Sequence, residues 1–155
     1  MAEATGPGTA PPRSADPRVQ RLVSLYQSLS PGDLLQLGRV YSGQATFKDP
    51  FNTVQGLPAI NAIFSHMFAA LDAPRFAVIG AVAAGDDAFL TWDFSFRTRG
   101  AGARALCIHG ASHLRFGLDC KVPMHRDYWD AAEELYEKLP VIGALMRWLK
   151  RRTSR

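Results

Sequence analysis

Between Arg75 and Trp129 the hydrophobic period switches from that of a helix to that of a strand, and stays there for four consecutive stretches. These are Arg75 to Ala84, Ala88 to Arg99, Ala103 to Phe116 and Lys121 to Trp129, separated by the turn signals GDD, GAGA and GLD. Turns this short join neighbouring strands, so the segment reads as an antiparallel meander. Ahead of it the pattern is helical. Val19, Leu22, Val23, Tyr26 and Leu29 recur at helical spacing from Pro17 onward, and Leu34, Leu35, Leu37 and Val40 mark a second short helix over Asp33 to Tyr41, capped by Asp33 or Ser30. After a Ser42 to Gln44 turn, Ala45 to Phe51 alternates as a strand that must break at Pro50, which has no N–H for pairing. Pro58 then opens a helix with the stripe Ile60, Ile63, Phe64, Met67, Phe68 and Leu71. Asp130 with Glu133 is a capping box for a last helix ending near Leu139 and Pro140. Helices followed by a run of strands predict an α+β fold: a curved antiparallel sheet wrapped around helices in a cone, with a ligand-sized hydrophobic cavity inside.

Composition narrows the function classes. The chain of 155 residues suits one domain. Its 18 Lys and Arg against 14 Asp and Glu give +4, but Arg147, Lys150, Arg151, Arg152 and Arg155 stand in the last nine residues, so residues 1–146 carry 13 basic and 14 acidic side chains. The basic character belongs to a tail at 147–155, and a nucleic-acid-binding face is not expected. Residues 1–16, rich in Gly and Pro, read as a disordered leader, leaving 17–146 as the domain. No secretory signal or membrane span is evident, so a cytoplasmic protein is expected, and Cys107 and Cys120 read as free thiols.

Three motifs carry a family resemblance: ATFKDPF (Ala45 to Phe51) with Gly56, IHGASHLRF (Ile108 to Phe116) and HRDYWD (His125 to Asp130). With the order of elements over residues 17–146 they resemble the nuclear transport factor 2-like superfamily, which includes ketosteroid isomerases, limonene-1,2-epoxide hydrolases and SnoaL-like polyketide cyclases. The resemblance implies the same α+β cone, no cofactor, and often a dimer formed through the sheet.

Period two groups Phe47 with Asp49; Phe89, Thr91, Asp93 and Ser95 together; Ile108, Gly110, Ser112, Leu114 and Phe116 together; and His125, Asp127 and Trp129 together. Alternation alone leaves open which face is inward. The resemblance to the epoxide hydrolases implies that Asp93 and Asp127 face the pocket, Asp127 as the base and Asp93 as the proton donor, with Asp49 at the place of a water-holding Asn. Thr91 stands where that family has an arginine, and Phe47 where it has a tyrosine. The resemblance to the isomerases instead makes Asp49, before Pro50, the proton-moving base; Ser112 then occupies the oxyanion Asp position, and Tyr26 is one residue from the oxyanion Tyr. The alternative for Asp93 is that Trp92, Phe94 and Phe96 are the buried set, or that they form a dimer surface.

Metal chemistry is not expected, because His109 and His113, four apart on a strand, stand about 13 Å apart. Cys107 is read as lacking a base on its own face, His66 as solvated, and His125 as an ordinary strand histidine that could stand beside Asp127. The expected function is cofactor-independent acid–base chemistry of isomerase, epoxide-hydrolase or cyclase type. The catalytic set is Asp127, Asp93 and Asp49; Tyr26, Phe47, Phe64, Phe68, Ser112, Leu114, His125 and Trp129 would hold a small hydrophobic molecule. The rival expectation is a non-catalytic ligand-binding or dimerising domain of the same fold, with a homodimer in either case.

Overall fold

The computed structural model describes residues 13–134. Residues 1–12 of the expected leader, the continuation of the last helix towards Leu139 and the basic tail at 147–155 lie outside the described residues. The chain order is α1 (Pro17–Ser28), a 3₁₀ helix (Pro31–Arg39), β1 (Tyr41–Lys48), β2 (Thr53–Gln55), α2 (Leu57–Ala70), β3 (Leu71–Ala84), β4 (Asp87–Thr98), β5 (Ala105–Arg115), β6 (Val122–Tyr128) and α3 (Ala131–Glu134).

The expected α+β class holds. The six strands form one unclosed sheet in the order β2-β1-β6-β5-β4-β3. The pairs from β3 to β6 make the antiparallel meander that the turn signals predict. One pairing differs: β1 lies parallel to β6, so the sheet is mixed. Pairing between strands so far apart in the chain leaves no local turn signal to read.

Asp16 caps α1 by accepting a hydrogen bond from the Arg18 N–H at 2.8 Å, so this residue of the expected leader belongs to the fold. The Arg18 guanidinium reaches on to Asp86 and the Gly85 carbonyl, both at 2.8 Å, and fastens α1 to the β3–β4 turn. Val19, Leu22 and Tyr26 are the buried face of α1, which packs on β3. Gly56 turns the chain into α2 at φ 93°, a conformation side-chain-bearing residues rarely adopt, and donates to the Ala45 carbonyl at 2.8 Å. The stripe of α2 then buries Ile60 and Phe64.

β3 begins at Leu71, four residues earlier than its alternation suggests, because its register shifts between Asp72 and Arg75. Ala73 there takes φ 47° and Pro74 lacks an N–H, which an edge strand tolerates at a bulge. A second shift follows between Val78 and Gly80. Such extra residues bend a strand and strengthen its twist, which curves the sheet around the helices.

Tyr41 corrects the expected second helix. The 3₁₀ helix stops at Arg39, and Tyr41 and the Ser42 to Gln44 segment lie within β1, with Tyr41 fully buried. Leu34 and Leu37 supply the inward side of the 3₁₀ turn, whereas Leu35 is exposed.

Candidate functional site

Burial along β4, β5 and β6 decides which face is inward. On β5 the buried set is Ile108, Ser112 and Leu114, continued by Phe116 beyond the strand, as grouped from the sequence. On β6 it includes His125, with Asp127 on the same side and only 15% of its side chain exposed. On β4 it is Ala88, Leu90, Trp92, Phe94 and Phe96. Asp93 therefore stands on the outer face with exposed Phe89, Thr91 and Ser95, and it does not meet Asp127. The physical reason is volume: two aromatic rings, an indole and a leucine on one side of β4 bury far more apolar surface than Phe89 with three small or polar partners. The same observation removes Trp92, Phe94 and Phe96 as a dimer surface.

A chain of hydrogen bonds runs across the inner face. The Trp92 indole N–H donates to the Ser112 hydroxyl at 2.8 Å, and that hydroxyl donates to Asp127 Oδ1 at 2.5 Å. The same oxygen meets His125 Nε2 at 2.6 Å. On the far side of the imidazole, Nδ1 lies 2.6 Å from the Tyr41 hydroxyl and 3.0 Å from the Tyr26 hydroxyl, and the two phenols are hydrogen-bonded to each other. With its proton on Nε2, His125 donates to Asp127 and accepts a phenol proton at Nδ1, so every group in the row has a partner. His125 is 2% exposed, stacked on Tyr41 and edge-on to Phe47, which fixes the ring plane. Asp127 Oδ1 thus receives two donors, while Oδ2 has no hydrogen-bond partner among the described residues.

Burial raises the pKa of both phenols well above the ordinary tyrosine range. Tyr26 is pushed further by Tyr41 and Asp127; for Tyr41 the hydrogen bond from Tyr26 acts the other way, and Asp127 again raises it. A raised folded-state value stabilises the fold fully below the unfolded value of about 10, and that stability is lost as pH climbs above it. Unfolding by urea is accordingly expected to become easier between about pH 9.5 and pH 11, by at most about 1.4 kcal/mol per pH unit for each phenol. A Tyr26→Phe, Tyr41→Phe double variant should lose most of this slope; an unchanged slope would contradict the buried neutral phenols.

Three spaces border Asp127: a surface groove between residues 48–50 and 126–130, and two that reach the inner face of the sheet. The deep one, about 20 Å³, has room for a single water and is walled by Tyr26, Phe64, Trp92, Ser112, His125 and Asp127 among others. The outer chamber holds about 310 Å³ and is walled mainly by apolar side chains, including Phe47, Phe64, Met67, Phe76, Ile108 and Trp129. Phe64, Phe76, Trp92 and Asp127 belong to both.

The other expected site residues take different places. Asp49 lies at the chamber's rim, but its Oδ1 accepts from the Phe51 and Asn52 N–H groups, both at 2.7 Å, and Asn52 Nδ2 donates to both its oxygens. It holds the β1–β2 turn, outside the regular alternation that was to align it with Phe47. Leu114 is fully buried in the core, and Phe68 packs on the core from α2; neither walls the chamber or the deep space. Tyr26, Phe47, Phe64, Ser112, His125 and Trp129 do line one or the other. Tyr41 is the residue the sequence reading missed, because as the end of a helix it had no partner to find. Cys107 likewise shares its outer face with His109, contrary to the expectation that no base stands there.

Residues 22–122 match the sequence model of the SnoaL-like domain. No curated protein matches the chain. Solved structures similar in fold include a protein of ketosteroid isomerase-like fold from Catenulispora acidiphila in complex with trimethylamine, 18% identical over 79% of this chain and 92% of that one, with a TM-score of 0.66. A candidate SnoaL-like polyketide cyclase from Shewanella denitrificans is 15% identical over 76% and 96%, with a TM-score of 0.64. AclR, a candidate hydroxylase from Streptomyces galilaeus, is 19% identical over 79% and 95%, with a TM-score of 0.61. With well over half of its length covered by the family's sequence pattern and the nuclear transport factor 2-like fold around it, the chain belongs to the SnoaL-like domain family.

Proposed function

We propose that the protein moves protons on a small, largely apolar, carbonyl-bearing molecule held in the outer chamber, as an isomerase or cyclase does, with Asp127 as the base. The observation that carries this reading is the state of one carboxylate: Oδ1 is held by Ser112 and His125, Oδ2 has no protein partner among the described residues, and the chamber lies beside it. A base so fixed loses little orientational freedom when it meets a C–H bond. Oδ2 takes a proton from the carbon next to the carbonyl and the C–H electron pair becomes the enolate; the carboxylic acid formed exchanges its proton with water and then returns a proton to carbon at the original or a conjugated position, which regenerates the carboxylate. His125 and Ser112 are positioning residues, acting through Asp127. The developing oxyanion needs a donor, and the Trp129 indole N–H, which makes no hydrogen bond among the described residues, is the available one on the chamber wall. The epoxide-hydrolase arrangement is not supported, because Asp93 and Asp127 lie on opposite faces of the sheet. Half-exposed Ile79, Val82, Phe89 and Tyr128 make the outer apolar surface on which the expected homodimer would close. Among the described residues no helix is long and apolar enough to cross a membrane.

The test is exchange of α-protons in heavy water for a panel of cyclic ketones such as 2-tetralone and cyclohexenone, with and without protein. Ala70 is an exposed residue on the chamber wall, so Ala70→Trp should plug the space without disturbing the core. Wild-type protein is expected to accelerate exchange, and Ala70→Trp to slow it by about tenfold or more. Acceleration untouched by Ala70→Trp, or ketones that bind without exchanging, would overturn the proposal, the latter in favour of a ligand-binding protein.

A further inference from the structure

The outer face of the sheet carries a second group of chemistry-bearing side chains, separate from the chamber. β4 and β5 pair so that Asp93 stands opposite His109 and Ser95 opposite Cys107. Period two then places Asp93 and Ser95 on one side of β4, and Cys107 and His109 on the same side of β5. One donor atom from each of Asp93, Cys107 and His109 lies within 4.8 Å of the other two. His109 Nδ1 is 2.5 Å from Asp93 Oδ1, and the Ser95 hydroxyl donates to Cys107 Sγ at 3.6 Å. The His109 side chain is 66% exposed and that of Asp93 35%, so an ion from solvent reaches the group without opening the core.

Thiolate, imidazole and carboxylate together suit a borderline-soft divalent ion; magnesium and calcium prefer oxygen alone. Zinc bonds of about 2.0–2.3 Å require tetrahedral ligands to sit roughly 3.3–3.8 Å from one another. Rotations of three surface side chains span the difference from the present spacing. We propose that Asp93, Cys107 and His109 form a three-ligand site for a zinc-class divalent ion, with the fourth position open to water. Loading replaces the His109–Asp93 hydrogen bond by two metal bonds, moves the proton of that hydrogen bond through solvent to His109 Nε2, and releases the Cys107 thiol proton to solvent. The Ser95 hydroxyl then donates to the bound sulfur, the outer-shell support such ligands commonly have. This site lies on the opposite face of the sheet from Asp127 and does not depend on the proton-transfer reading.

The full chain, kept reduced, is titrated with cobalt(II) alone and then with zinc(II) alone. A thiolate-to-cobalt charge-transfer band in the near ultraviolet should saturate at about one equivalent and disappear as zinc displaces cobalt. Cys120→Ser, which alters the other thiol, keeps the band; Cys107→Ser abolishes it; His109→Gln and Asp93→Asn each weaken binding by at least about tenfold. All four positions are at least partly exposed, and matching circular dichroism spectra check that the variants are folded. No band in the wild type, a band that survives Cys107→Ser, or full affinity in both His109→Gln and Asp93→Asn overturns the site.

Discussion

Asp127→Asn is expected to slow ketone proton exchange by about 10²–10⁴-fold while changing stability little. The amide can keep its oxygen where Oδ1 now accepts from Ser112 and His125, at 2.5 and 2.6 Å, so packing and hydrogen bonds persist. Its nitrogen then replaces Oδ2 and cannot take a proton from carbon. Flipping the amide is disfavoured, since an NH₂ would face two donors. The other aspartates separate this account from a general effect of charge. Asp93→Asn should leave exchange within about twofold, because that carboxylate lies across the sheet. Asp49→Asn should cost less than about tenfold, because Asp49 is spent on the Phe51 and Asn52 donors of its turn. Equal losses at all three positions, measured by NMR with 2-tetralone, would remove Asp127 from its special role.

Gly110→Ala is expected to disturb both the fold and the site, because Gly110 lies against Trp92, which walls both the chamber and the deep space. A Cβ on Gly110 would lie 2.6 and 2.8 Å from Cζ2 and Cζ3 of the Trp92 ring, closer than packed carbons come. Trp92 is 6% exposed, packed edge-on against Phe76, and its N–H holds Ser112, so the indole can yield only into the chamber, at the cost of these contacts. Overpacking of this kind costs roughly 1–3 kcal/mol. For a chain of this size that is a fall in melting temperature of roughly 2–4 °C per kcal/mol. Displacing the indole also loosens Ser112 and the carboxylate behind it, so exchange should fall by about tenfold or more in protein that is still folded. Adding Trp92→Phe should return part of the stability by making room, but not the exchange rate, since the phenyl ring cannot donate to Ser112. A Gly110→Ala protein that melts and exchanges like the wild type would contradict this coupling.

Much of this arrangement was legible before the structure, and the gaps have physical causes. Alternation paired His125 with Asp127 and set Ser112 among Ile108, Leu114 and Phe116, because an i, i+2 relation on a strand is local geometry. Tyr26 was visible as part of the apolar face of α1. Alternation says nothing about which side faces in when both sides carry aromatic rings, and on β4 the resemblance to the epoxide hydrolases pointed Asp93 the wrong way. The buried volume of Leu90, Trp92, Phe94 and Phe96 was the signal that could have corrected it. Asp49 was aligned by continuing a strand through Lys48, where the chain had already turned. Tyr41 and Tyr26 reach His125 from 84 and 99 residues away, and the parallel β1–β6 pairing that brings Tyr41 there has no local signature. The phenol–imidazole–carboxylate row is a product of the tertiary fold.

The most direct test of Asp127 as a base on one wall of the chamber is the stereochemistry of deuterium delivery. A prochiral cyclic ketone is exchanged once in heavy water, and the configuration of the monodeuterated product is read by NMR in a chiral environment. A carboxylate fixed by Ser112 and His125 removes and returns protons on one face only, so the account predicts one predominant configuration with wild-type protein and an even mixture at the residual rate of Asp127→Asn. An even mixture from the wild type, or an unchanged preference in Asp127→Asn, would contradict it.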